Sequence, residues 1–127
     1  VFTGLYWSRA LLADLLEQPE KALPAYVSGC IKEWQQKPVP PVLVVAPPPI
    51  RTPKGPIAPK FTGGENKCVG LAMAYEKVCQ EIGCHFFDSS TVVTSSAVDG
   101  VHLDAEQHMV LGKALATAAA PFLRSHG

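Results

Sequence analysis

Val42-Leu43-Val44-Val45-Ala46-Pro47-Pro48-Pro49 is the stretch on which the fold turns. Its first five residues are apolar with no polar alternate, and most are β-branched. Such a run reads as a strand buried on both faces, as strands of a parallel sheet are. Three prolines close it, because proline has no N–H to give to a ladder. Upstream, Lys37-Pro38-Val39-Pro40-Pro41 forbids helix and supplies a linker. Downstream, residues 50–64 are rich in Pro, Gly and Lys. They read as a long surface loop at the C-terminal end of the strand, where loops often carry function.

From that strand the pattern extends in both directions. Glu65 to Glu81 reads as a helix whose buried stripe is Cys68, Leu71, Ala72, Tyr75, Val78, Cys79 and Ile82, with Gly83 as its stop. Cys84-His85-Phe86-Phe87-Asp88 reads as a second strand. Strand, helix and strand in this order make a βαβ unit, with a right-handed crossover expected. A last helix begins at Asp104, a good N-cap, with Gln107 as its capping-box partner. Leu111, Ala114, Leu115, Ala118 and Phe122 line its inner face. Towards the N-terminus, Ser8 to Glu17 reads as a short helix ended by Pro19. Leu23, Tyr26, Val27, Cys30, Ile31 and Trp34 form one face of a stronger one, and Pro24 sits in its first turn. The class is α/β with helices on a parallel sheet. Two strands do not cover the apolar faces of three or four helices, so the chain is expected to be part of a larger sheet.

Composition narrows the function. At 127 residues, 47% apolar and 17% charged, the chain is one domain at most and has enough apolar residues for a core. Lys+Arg and Asp+Glu balance at 11 each with no basic stripe, so no nucleic-acid partner is expected. The longest apolar run is far too short for a bilayer, and the N-terminus lacks the order of a secretory signal. Cys30, Cys68 and Cys79 fall on helical apolar positions, and Cys84 opens a strand. This placement suits reduced, buried thiols and a cytoplasmic location. No C-x-x-C pair is present, so neither a zinc ribbon nor a thioredoxin-like site is expected.

Between the second strand and the last helix lies Val98-Asp99-Gly100-Val101-His102-Leu103, a polar island in apolar sequence. A hydrolase needs an imidazole base and an acidic group that fixes its tautomer. Asp99 and His102, three positions apart with Gly100 between them, can fold back so that the carboxylate meets the ring. From spacing alone, an ordinary Asp-Gly turn with a solvated histidine is the readier reading. A metal site from Asp99, His102, Asp104 and His108 matches no common ligand spacing, and neither metal nor cofactor is expected. His85 reads as structural, His108 as solvated and Trp34 as core. Trp7 is open to a pocket or an interface.

Val98-Asp99-Gly100-Val101-His102-Leu103-Asp104-Ala105 resembles the C-terminal Asp-x-x-His block of the SGNH (GDSL-type) serine hydrolases. Val42 to Pro49 resembles the fourth strand and proline loop of the bacterial arylesterases of that superfamily. Gly63-Gly64-Glu65-Asn66-Lys67 resembles the start of their next helix, and Cys84 to Asp88 the strand before the catalytic loop. Order and spacing agree over roughly two-thirds of the chain. The resemblance implies a three-layer, parallel-sheet, flavodoxin-like hydrolase fold. Residues 1–127 would be the C-terminal part of its single domain. It implies hydrolysis of a small carboxylic ester, with His102 as general base and Asp99 as its orienting acid. Pro47, Pro48 and Pro49 would lie beside the acyl or alcohol group.

The family's Gly-Asp-Ser nucleophile block, its second glycine and its Gly-x-Asn-Asp block are not in this sequence. Asp88-Ser89-Ser90 looks like the nucleophile block but lacks the glycine and sits at a strand end. The nucleophile and oxyanion donors are therefore expected from an N-terminal half, as a companion chain or a segment outside these residues. A homo-oligomer also suits the incomplete sheet. The rival reading is a non-catalytic α/β interaction or structural subunit. A flavodoxin-like binding domain is disfavoured, since no Gly-rich phosphate loop follows either strand.

Overall fold

The structure is a computed structural model and describes residues 41–125, with positions 18, 20, 21, 24, 25 and 28. The readings at Trp7, Ser8, Cys30 and Trp34 lie outside the described residues. The apolar run forms β1, Leu43–Ala46, and His85–Asp88 forms β2. The two are parallel, with Leu43 opposite His85 and Ala46 opposite Asp88. The His85 amide also donates to the Val42 carbonyl at 2.9 Å, which extends the pairing to Val42. Leu43, Val44 and Ala46 are all buried, although their side chains alternate between the two faces. That is the double-sided burial expected of the run.

The helix between the strands is not continuous. The expected Glu65–Glu81 helix divides into a single turn, α1, Gly64–Lys67, and a longer helix, α2, Leu71–Ile82. Gly70 has φ 78°, a left-handed conformation that a side chain resists, and it restarts the chain at α2. The apolar period runs through the break unchanged, so Cys68, Leu71, Tyr75, Val78 and Cys79 are still all buried. Ile82, expected on the same stripe, is 38% exposed because it lies in the last turn. The amides of Gly83 and Cys84 both donate to the Cys79 carbonyl and close the helix. The loop at 50–64 is also more ordered than expected, since Gly55–Phe61 winds into a 3₁₀ helix.

One side of the sheet meets α2 in a core of Val44, Ala46, Leu71, Tyr75, Val78 and Cys79. Tyr75 is fully buried and its hydroxyl has no hydrogen-bond partner among the described residues. Burial pushes its phenol up to about 12, with the neighbouring Cys79 thiol adding to the effect. Burial likewise pushes the Cys79 thiol up to about 11. Cys68, Cys79 and Cys84 are all free thiols. Tyr75→Phe is expected to leave stability unchanged or raise it by up to about 1 kcal/mol, because no hydrogen bond is lost. Tyr75→Ala is expected to cost about 3–5 kcal/mol. Urea titration monitored by circular dichroism distinguishes the two.

The last helix, α3, runs Ala105–Ser125. Leu111, Ala114, Leu115, Ala118 and Phe122 are each half-buried, and Ala119 between them is buried. His85 is exposed at the start of β2 and stacks on Phe122, with ring centroids 3.9 Å apart. Asp104 precedes the helix and its carbonyl accepts the His108 amide at 3.0 Å. Gln107 is not its capping-box partner. Its Oε1 instead accepts the Thr94 amide at 2.9 Å, tying the helix to the loop before it. Among the described residues no helix is long and apolar enough to cross a membrane.

Candidate active site

The segment between β2 and α3 is built on side-chain oxygens. Asp88 Oδ1 accepts from the amide and hydroxyl of Ser90, which starts the short 3₁₀ helix Ser89–Thr91. Ser95 Oγ donates to the Pro49 carbonyl at 2.8 Å, and Ser96 Oγ accepts the Val98 amide at 3.0 Å. The Ser96 amide donates to the His102 carbonyl at 2.6 Å, and the Gly100 amide to the Ser96 carbonyl at 2.8 Å. These bonds close residues 96–102 into a compact loop.

Within that loop the two carboxylate oxygens of Asp99 divide their work. Oδ1 accepts the backbone amides of Val101 at 2.8 Å and His102 at 2.9 Å. Oδ2 meets His102 Nδ1 at 2.6 Å. One oxygen therefore shapes the turn and the other orients the imidazole. The Val101 amide, the His102 ring and the His102 amide together hold the Asp99 carboxyl well below the usual range, at about 2. The carboxylate's contribution to the loop is complete above the ordinary carboxylate pKa and is lost only as pH falls through about 2. The His102 side chain is 66% exposed, so the ring faces outward with its Nδ1 side occupied. An imidazole held in this way can accept a proton at Nε2 from a group brought to it.

The serines are placed otherwise. Ser89, one of the two serines of the Asp88-Ser89-Ser90 segment, is buried and its hydroxyl donates to the Ala46 carbonyl at 2.5 Å. Ser90 donates to Asp88, and Ser95 and Ser96 are buried and engaged as above. Ser89→Ala is expected to lower stability by about 1–2 kcal/mol, because it strips a buried carbonyl of its partner. Chemical denaturation checks the loss.

Pro47 and Pro49 line a concavity at the C-terminal ends of the strands, with Glu65, Cys68, Leu71, Asp88 and Ser90 among its other walls. Pro48 is not part of its lining, and neither are Asp99 and His102. Among the described residues, no group of three or more His, Cys, Asp or Glu side chains is placed to hold a metal. Asp99, His102, Asp104 and His108 do not come together in that way. Sequence reasoning missed the contribution of residues 51–54, whose backbone bonds to the Asp99–His102 loop. Main-chain pairing leaves no mark in side-chain identity. The buried serines it missed also carried a signal: small hydroxyls in an apolar setting accept or donate to main chain.

A parallel strand pair with a packed crossover helix is followed by an Asp-His couple on the loop before the last helix. In fold the chain is similar to solved SGNH-type esterases. It superimposes on the native M. smegmatis aryl esterase with a TM-score of 0.73 and 30% identity, over 81% of this chain and 50% of that one. A carbohydrate acetylesterase family member from Sinorhizobium meliloti matches with a TM-score of 0.72 and 30% identity, over 82% of this chain and 51% of its own. An uncharacterized protein in the cooM 5' region of Rhodospirillum rubrum is 38% identical over 114 residues, which is 89% of this chain and 22% of that protein. The chain thus spans about half the length of the esterases and less of the Rhodospirillum protein. No protein-family model matches the sequence.

Proposed function

We propose that this chain supplies the acid–base part of a carboxylic-ester hydrolase that works through an acyl-serine intermediate. His102 is the general base and Asp99 its orienting acid. The serine and the oxyanion donors come from the other half of the fold, as a companion chain or as a segment outside these residues. The observation that carries the reading is the 2.6 Å contact between Asp99 Oδ2 and His102 Nδ1 on a loop whose ring is exposed. An exposed imidazole beside an ionised carboxylate suits a hydroxyl delivered from elsewhere. The hydroxyls of Ser89, Ser90, Ser95 and Ser96, by contrast, are engaged with other partners.

In the reaction, Asp99 holds the proton on Nδ1, so Nε2 keeps its lone pair. His102 accepts the hydroxyl proton as the serine adds to the ester carbonyl, then returns it to the departing alcohol. A water deprotonated by the same nitrogen releases the acid and restores the serine. Pro47 and Pro49, at the end of β1, are proposed to flank the ester group. The test is a fluorophosphonate probe on the complete enzyme, followed by mapping of the modified peptide. A single modified serine outside residues 1–127 is expected. Modification of Ser89 or Ser90 would overturn the division of labour.

A further inference from the structure

The Asp99–His102 turn is short and exposed; Gly100 and His102 bond to Ser96, and the adjoining Ser95 hydroxyl ties the loop to the Pro49 carbonyl. A second segment, Arg51–Lys54, holds the turn itself. The Arg51 amide donates to the Gly100 carbonyl at 2.8 Å, and the Lys54 amide donates to the Asp99 carbonyl at 2.9 Å. Lys54 Nζ reaches the Ala97 carbonyl at 3.3 Å. The carbonyls of Asp99 and Gly100, on either side of the Gly100 α-carbon, are therefore both held from outside the turn. Gly100 makes this approach possible. It has φ 81°, and a Cβ placed on it would lie 2.5 Å from the Thr52 carbonyl oxygen and 3.1 Å from that of Arg51. Those neighbours are main chain, which cannot swing aside as a flexible side chain could.

We propose that Arg51–Lys54 is a strap that positions the acid–base couple, and that Gly100 is the positioning residue that lets the strap close on it. The inference rests on the reading of His102 and Asp99 as base and acid. The strap leaves the proline turn at the end of β1, so the couple takes its place from the buried sheet rather than from its own exposed loop. A methyl group at 100 both strains the turn and pushes the strap away. The carbonyls of Asp99 and Gly100 then lose their partners, and the imidazole loses its fixed direction.

The test uses the full chain with carboxyl-labelled aspartate and ring-labelled histidine, followed by NMR. In the unaltered protein, Asp99 is expected to titrate at about 2, and the amides of Arg51 and Lys54 to exchange with solvent in step with those of Val101 and His102. In Gly100→Ala, with helix content retained, the Asp99 midpoint is expected to rise by about one unit toward the ordinary carboxylate range. Arg51→Pro, which removes one strap donor without adding bulk at 100, is expected to shift it in the same direction. In the complete enzyme, Gly100→Ala is expected to lower kcat by about 10²-fold with KM within about twofold. A folded variant with an unchanged Asp99 midpoint, or independent exchange of the two sets of amides, overturns the strap. An ordinary Asp99 midpoint in the unaltered protein overturns the base–acid reading itself.

Discussion

Replacing His102 with alanine is expected to abolish reaction of the complete enzyme with a fluorophosphonate and to lower kcat by on the order of 10⁶. The argument is one of proton inventory. A serine hydroxyl is a poor nucleophile until a base removes its proton. Of the groups gathered on this loop, the imidazole is the one with a basic nitrogen, Nε2, turned to the outside while its other nitrogen is held by Asp99. The loop itself should survive, since Asp99 Oδ1 keeps the Val101 and His102 amides, which belong to the backbone. Circular dichroism and melting temperature should therefore match the unaltered protein. Labelling that persists in His102→Ala would remove the residue from the mechanism.

The second large effect is expected from Asp99→Asn, about 10⁴-fold in kcat with the fold retained. Asparagine keeps an oxygen for the two amides that Oδ1 now satisfies. It presents an NH₂ group where Oδ2 now meets His102 Nδ1. The ring must then turn its lone pair toward the amide and carry its proton on Nε2. In that tautomer it cannot take a proton from serine. A pH–rate profile adds a separate check. Because its partners hold Asp99 down at about 2, it remains ionised throughout the working range, and the acid limb of the profile should not follow this carboxylate.

Much of this was legible in the sequence because the decisive features are local. The run Val42–Ala46 announced a doubly buried strand through its unbroken apolar character, and both faces of β1 are covered. Asp99 and His102 meet across three positions, and a short spacing with glycine between them can be read without knowing the rest of the fold. The break at Gly70 was hidden because periodicity counts positions and not dihedral angles, and the buried stripe continues across it. Gln107 was misassigned because a nearby backbone cap and a distant amide make equal use of one side-chain oxygen. The strap was invisible because its principal donors and acceptors are main-chain groups that every residue type provides.

The separation in chain position between turn and strap has a kinetic corollary. Lys54 and Ala97 stand 43 positions apart, whereas Asp99 and His102 are three apart. Closing the long loop costs chain entropy that the short turn never meets. During refolding the histidine and aspartate should find one another first, as a fluctuating local kink. Anchorage to the sheet follows only once β1 and β2 have paired. Recovery of catalytic competence should then lag behind recovery of the local histidine–aspartate signal, and the lag should track sheet formation.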